Sequence, residues 1–338
     1  MSTPLKNVSK ILFPKILSPV SPKYLNVLNH HVNNVDRSKY KIRKCDFLDC
    51  DQIKSPIKIH VSPVCEKIDP TEEKRDVIIN TPNKLELLSR GLKGEKYFNI
   101  LGQGSFGKVF KAMYKDKSVA MKLVKRFCGD HREKNALDFN HPNIVKILEI
   151  IGNEKGNFSL IIMEYLPNCI NLQNIINNSL FDIECVQYAK DICRGISYCH
   201  ENGILHLDIK PSNILVCQGV CKICDFGNSV KVNENMNDYE FHGTVHYAAP
   251  EILLGKTPTE KADVYSLGVA FWQMKTRKFP YKEIDNIECI IYKVVKWNLR
   301  PDLEAPMDIF TNLYHQCWNE NPNERPNIAY ILQVLATI

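Results

Sequence analysis

The run LGQGSFGKV, residues 101–109, limits the possible folds of this chain more than any other stretch. Gly102, Gly104 and Gly107 lack a Cβ, so backbone N–H groups there can close on a phosphate. The same glycine spacing opens a dinucleotide-binding helix, so the glycines alone leave two folds open. The residues that follow are more telling. KVFKAMY continues as a strand rather than a helix, and the Gly-Lys-Ser/Thr of a P-loop is absent. VAMK then puts Lys122 on the next strand, where an ammonium neutralises the α- and β-phosphates of a nucleotide.

The same texture runs on. YFNILG, KVFKAMY, SVAMKLV, IVKILEIIG and SLIIMEYL alternate with turn residues up to about residue 166. Helical spacing takes over beyond it: IECVQYAKDICRGISYCHENG carries apolar residues at helical intervals and closes on Gly203, a C-terminal cap. VYSLGVAFWQM, 264–274, reads as a buried helix and falls short of the run of about 18 apolar residues that a membrane span needs. Strands first and helices second predict an α+β architecture of two lobes.

Residues 1–92 lack this periodicity. Six Ser/Thr-Pro pairs begin at Thr3, Ser18, Ser21, Ser55, Ser62 and Thr81, and proline holds the backbone extended. The segment is expected to be a mostly disordered extension, with short ordered patches near KYLNVLNHHV. Lys10, Pro14 and Lys15 interrupt its apolar start, which argues against a secretory signal. It holds 16 Lys/Arg against 10 Asp/Glu, while the remainder holds 28 of each, so the whole net charge of +6 belongs to it. These charges are dispersed, as in a solvated tail, so neither nucleic acid nor a membrane is expected as a partner. The 13 cysteines point to reduced thiols in the cytoplasm. Cys217, Cys221 and Cys224 lack an obvious fourth ligand, which favours hairpin positions over a zinc site.

Three further motifs follow in order: Asp208, Lys210 and Asn213 in HLDIKPSN, Asp225-Phe226-Gly227 in CDFGNS, and GTVHYAAPE at 243–251. With the glycine turn and Lys122, they resemble the eukaryotic protein kinases over residues 95–338. The resemblance implies a bilobal protein kinase fold, with a small β-rich N-lobe at 95–166 and a larger helical C-lobe at 167–338. It implies ATP and Mg²⁺ as cofactors. Gly102, Gly104, Ser105, Phe106 and Gly107 would then cover the phosphates. Val109 and Ala120 would cover the adenine, Met163 would stand as gatekeeper, and the backbone of Glu164 and Leu166 would bond the base. Asn213 and Asp225 would hold the metal. Asp208 would take the acceptor proton, Lys210 would steady the phosphoryl group, and Thr244 would position both. The glutamate that kinases pair with the strand lysine falls by usual spacing on Arg132. Glu133, one position on, is nominated in a shortened helix. Glu251 with Arg325, and Asp263, match structural positions.

Lys210 resembles the serine/threonine class. HLDIKPSNIL, CKICDFGNS, KADVYSLGVAFWQMKTRKFPY and CWNENPNERP are similar to the Mos kinases, which also carry Leu in place of the arginine before the catalytic Asp, here Leu207. That resemblance implies a MAP kinase kinase kinase acting on MAP kinase kinase in oocyte meiotic arrest, cytoplasmic and monomeric. A mixed-lineage MAP kinase kinase kinase and a pseudokinase scaffold are the alternatives. The missing arginine normally grips an activation-loop phosphate. Between Gly227 and Gly243 only Ser229 and Tyr239 could accept one, and Glu234, Asp238 and Glu240 are already negative. Activity independent of loop phosphorylation is therefore expected, with control through protein amount.

Overall fold

The structure is a computed structural model that describes residues 92–93, 100–104, 107–125, 132–152, 158–178, 180–232, 241–301 and 307–338. The Ser/Thr-Pro sites, Ser105, Phe106, Glu234, Asp238, Tyr239 and Glu240 lie outside the described residues.

The first lobe is one antiparallel sheet built from β1 (Leu92–Lys93), β2 (Ile100–Gly104), β3 (Gly107–Tyr114), β4 (Lys117–Lys125), β5 (Ile147–Gly152) and β6 (Phe158–Glu164), in the order β1-β3-β4-β6-β5 with β2 also on β3. The pairing of Leu92 with Tyr114 starts the sheet earlier than the expected boundary at 95. Lys115 and Asp116 form a two-residue hairpin turn, both with positive φ, which suits the right-handed twist of β3 and β4. Alternation puts Phe110, Ala112 and Tyr114 on one face, buried with Val119, Met121, Leu160 and Ile162.

The second lobe contains β7 (Ile170–Asn171), α1 (Leu172–Asn178), α2 (Asp182–Glu201), β8 (Ile204–Leu205), β9 (Ile214–Cys217), β10 (Val220–Ile223), β11 (Val230–Lys231), α3 (Pro250–Leu253), α4 (Glu260–Thr276), α5 (Ile287–Lys296), α6 (Ile309–Cys317) and α7 (Ile328–Ala336). Every residue of α4 from Ala262 to Met274 is buried, polar Asp263, Ser266 and Gln273 included, so this helix is enclosed on all sides and forms the axis of the lobe. Glu251 and Arg325 meet beside it in a bidentate pair at 2.6 and 2.9 Å, with Arg325 also donating to the Asn319 and Lys261 carbonyls. The expected two-lobed α+β fold is thus present. β10, the strand just before Asp225, ties the lobes together, since Val145 N–H donates to the Ile223 carbonyl and Ile223 N–H to the Asn143 carbonyl.

Cys217 and Cys221 do lie on a hairpin, with Gln218 and Gly219 in its turn at positive φ. Among the described residues no cluster of three or more His, Cys, Asp or Glu could hold a metal. The expectation of uniformly reduced thiols is corrected, because Cys169 and Cys217 form a disulfide. The cause is register. Antiparallel pairing of Ile170 with Val216 in β7 and β9 puts the next residues outward, Cys169 and Cys217, opposite each other with Cα atoms 4.5 Å apart.

Candidate active site

Lys122 comes to the site from the middle of β4, with Val109 of β3 and Ile161 of β6 as its register partners. Two strands fix its backbone, so the side chain can reach only one place. Its Nζ donates to Glu133 Oε1 at 3.0 Å and to Asp225 Oδ1 at 2.8 Å. Lys122 and Glu133 are both only 6% exposed, which makes their pairing a condition of burying either. Burial alone would pull the Lys122 ammonium down, but Asp225 and Glu133 outweigh it and hold the ammonium above ordinary lysine. Burial likewise pushes the Asp225 carboxyl up, and Lys122, aided by Lys210 and His206, leaves it below the usual carboxylate range. Glu133 rides on a single 3₁₀ turn, Arg132–Ala136. Arg132, where the usual spacing falls, is not Lys122's partner in this pair.

Asp225 itself has φ 66, in the left-handed region. The next two residues support that bend. Phe226 packs edge-on against His206, 4.9 Å between centroids, and against Phe139 at 5.8 Å. Gly227 leaves the space that Glu133 needs, since a Cβ there would stand 3.1 Å from Glu133 Oε1.

The catalytic loop hangs from α4. Asp263, wholly buried, accepts from the backbone N–H of His206 at 2.9 Å and of Leu207 at 2.8 Å, and meets His200 Nε2 at 2.9 Å. Burial raises its carboxyl, but His200 and then His206 reverse that, and it stays ionised below the usual range. Leu207 is held at φ 60, and this turn swings the next residue inward. Both carboxylate oxygens of Asp208 are engaged. Oδ1 accepts from Thr244 N–H at 2.9 Å, and Oδ2 accepts from Lys210 Nζ at 2.8 Å and Asn213 Nδ2 at 3.0 Å. Lys210 also donates to Thr244 Oγ1 at 2.6 Å. The structure therefore brings Asp208, Lys210, Asn213 and Thr244 into one network, and Lys122, Glu133 and Asp225 into another.

Ala120 and Met163 are register partners on β4 and β6, and Glu164 ends β6. The Glu164 N–H donates to the Lys146 carbonyl, and its carboxylate accepts from Lys146 N–H and Lys222 Nζ, each at 2.9 Å. Leu166 follows, partly buried. Gly102 and Gly104 lie on β2, and Gly107, at φ 149, opens β3 where a Cβ would strike the Leu123 carbonyl oxygen. Several site contacts escape sequence reasoning. The Lys146 and Lys222 bonds to Glu164 are one case. Another is the hydroxyl of Ser229, buried and bonded to the Arg132–Ala136 turn. Only position in the fold, not residue type, betrays them.

A hard cation would meet suitable donors here. Asn213 commits its Nδ2 to Asp208, which leaves its amide oxygen, and Asp225 is an ionised carboxylate; both are oxygen ligands of the kind Mg²⁺ takes.

Paired strands carrying a buried lysine, an aspartate bend and a catalytic loop slung from a buried helix define a protein kinase. The family described as Protein kinase domain matches residues 96–335. The serine/threonine-protein kinase mos of Patiria pectinifera is 39% identical over 259 residues, covering 70% of this chain and 73% of that protein. The Xenopus laevis protein of the same description is 34% identical over 266 residues, 70% and 73% of the two chains. The proto-oncogene serine/threonine-protein kinase mos of Mus musculus is 35% identical over 270 residues, 69% and 77%. The chain belongs to the Mos family of serine/threonine-protein kinases, and it is an ATP-dependent enzyme.

Proposed function

We propose that this kinase is a MAP kinase kinase kinase that phosphorylates MAP kinase kinase on serine and acts in oocyte meiotic arrest, as a cytoplasmic monomer. The similarity to mos kinases at 34–39% identity supports this reading. Among the described residues no helix is long and apolar enough to cross a membrane.

The chemistry rests on the Asp208 network. Asp208 accepts the proton of the substrate hydroxyl as that oxygen bonds to the γ-phosphorus of ATP, and the bond from phosphorus to the β,γ-bridging oxygen breaks to release ADP. Thr244 and Asn213 fix the carboxylate, so little reorganisation is needed when the hydroxyl arrives. Lys210, 2.8 Å from Asp208, supplies positive charge to the phosphoryl oxygens in transit. Lys122 does the same for the α- and β-phosphates and is aimed by Glu133. Asn213 and Asp225 would hold Mg²⁺, which supplies further neutralisation of phosphate charge when bound. Gly102, Gly104, Ser105, Phe106 and Gly107 close over the phosphates, and Val109, Ala120, Met163, Glu164 and Leu166 frame the base.

No loop phosphate is required in this reading. Where an arginine would grip one, Leu207 is buried, and its carbonyl and the buried Phe241 ring both converge on Gly243; a Cβ there would stand 2.8 Å and 2.6 Å from them. Leu207 and Phe241 are both buried in the hydrophobic core of the second lobe.

The test is phosphoryl transfer from Mg·ATP to catalytically inactive MAP kinase kinase by the full chain, after phosphatase treatment and removal of the phosphatase. Transfer is expected, with Asp208→Asn reduced by about 10²–10⁴-fold. Transfer to myelin basic protein but not to MAP kinase kinase would overturn the substrate. Activity that phosphatase abolishes would overturn independence from phosphorylation.

A further inference from the structure

Glu133 sits on one five-residue 3₁₀ turn, and so short a turn does not hold its own geometry. Something outside the turn must fix it. The residues that do so lie in the activation segment, close to 100 positions along the chain. Ser229 Oγ donates to the Arg132 carbonyl at 3.0 Å. Asn135 Nδ2 donates to Ser229 Oγ at 3.1 Å and to the Ser229 carbonyl at 3.2 Å. Arg132 and Asn135 bracket Glu133, so the serine grips the turn on both sides of the glutamate. The Ser229 side chain is fully buried, with its one proton given and a lone pair used. Its own backbone is set by Ser229 N–H donating to the Phe226 carbonyl at 3.0 Å, two residues from Gly227.

We propose that unphosphorylated Ser229 is a positioning residue which, through Arg132 and Asn135, holds Glu133 on Lys122 and so keeps the kinase in its working arrangement without a loop phosphate. The contacts close a ring: Asp225 to Lys122, Lys122 to Glu133, the Glu133 turn to Ser229, and Ser229 back through Phe226 to Asp225. Loosening any member loosens all. A phosphate on Ser229 would remove the donated proton and set negative charge near Glu133, itself only 6% exposed. Ser229 in this view is not the loop's phosphate acceptor, and modifying it would switch the enzyme off. The inference rests on the kinase reading of the site, but the contact itself can be read without any activity.

The experiment uses the full chain as wild type, Ser229→Ala, Asn135→Ala and the double variant. Hydrogen exchange is followed in the peptide spanning 132–139, where Leu137 N–H bonds the Lys134 carbonyl and Phe139 N–H the Ala136 carbonyl. Each single variant should speed exchange there by about tenfold or more, and the double should fall short of the product of the two, because the changes share the Asn135–Ser229 Oγ bond while each also cuts one bond of its own. Rates in α4 should stay unchanged, which shows the fold intact. Transfer to myelin basic protein should fall in parallel, in kcat more than in KM for ATP. Unchanged exchange in both single variants, or losses that multiply in the double, overturns the proposal. If exchange couples as described while wild type transfers no phosphate to any acceptor, the positioning contact stands and the reading of the activity falls instead.

Discussion

Leu207 shows how a catalytic loop can keep its backbone geometry with a buried apolar side chain before the aspartate. Its side chain is buried and its backbone is left-handed, yet its N–H still reaches Asp263, so Asp208 arrives where the network needs it. The backbone, not the side chain, carries that geometry. Cys224, immediately before Asp225, shows residue-scale control of another sort. Burial, with the Asp225 charge adding to it, pushes its thiol up to about 12. The thiolate is the nucleophile, so at pH 8 almost none is present. Iodoacetamide at that pH should therefore label exposed Cys289 and spare Cys224, as peptide mass spectrometry can measure. Equal labelling of the two would show that the thiol is open to solvent and easily ionised.

Among the elements, α4 and α6 pack closely enough to require a glycine. A Cβ on Gly268 would stand 2.8 Å from Cys317 Cβ and 3.0 Å from the Tyr314 carbonyl, and backbone cannot swing away as a side-chain tip can. Gly268→Ala should destabilise the chain by about 1–3 kcal/mol through overpacking. Thermal unfolding reads this directly, and KM for ATP should remain the same because Gly268 faces α6 rather than the site. A melting temperature equal to wild type would mean the helices separate at no cost. Sequence gives no hint of that contact, although it does reveal the helix: VYSLGVAFWQM has the length and apolarity of a buried span. Strands were legible for a similar reason, since KVFKAMY and SVAMKLV alternate with period two, and motif spacing gathered Lys122, Asp208, Asn213 and Asp225 into one reading. Spacing against HPNIV left a choice between Arg132 and Glu133, and the ion pair of Lys122 with Glu133 is visible only in the structure. Asn135 with Ser229, 94 residues apart, has no signature at all. Pairs of ordinary polar residues become informative only once the fold has set them side by side.

At the scale of the whole molecule, the Cys169–Cys217 link joins the chain just beyond the Glu164–Leu166 segment to the strand that follows the catalytic loop. It spans 48 residues, a stretch that includes α1, α2 and the whole catalytic loop. In a chain-entropy account, closing a loop of that length restricts the unfolded ensemble by about 4 kcal/mol. Both sulfurs belong to partly exposed residues, so reductant can reach them without unfolding. Neither lies in the Asp208 or Lys122 network. Reduction should consequently lower the melting temperature by about 8–16 °C, at about 2–4 °C per kcal/mol for a domain of this size, and leave kcat within about twofold. Cys169→Ser and Cys217→Ser should each reproduce the loss, the double variant should add nothing, and dithiothreitol should no longer affect any of the three. Alkylation of both residues in the untreated protein, together with a melting temperature indifferent to dithiothreitol, would show instead that the register of β7 on β9 brings the two thiols together without joining them. Under reducing conditions the open form is the one present, and the lobe must then hold its fold on packing and the α4 network alone. Comparing reduced wild type with the double serine variant measures that residual stability, and the two should coincide.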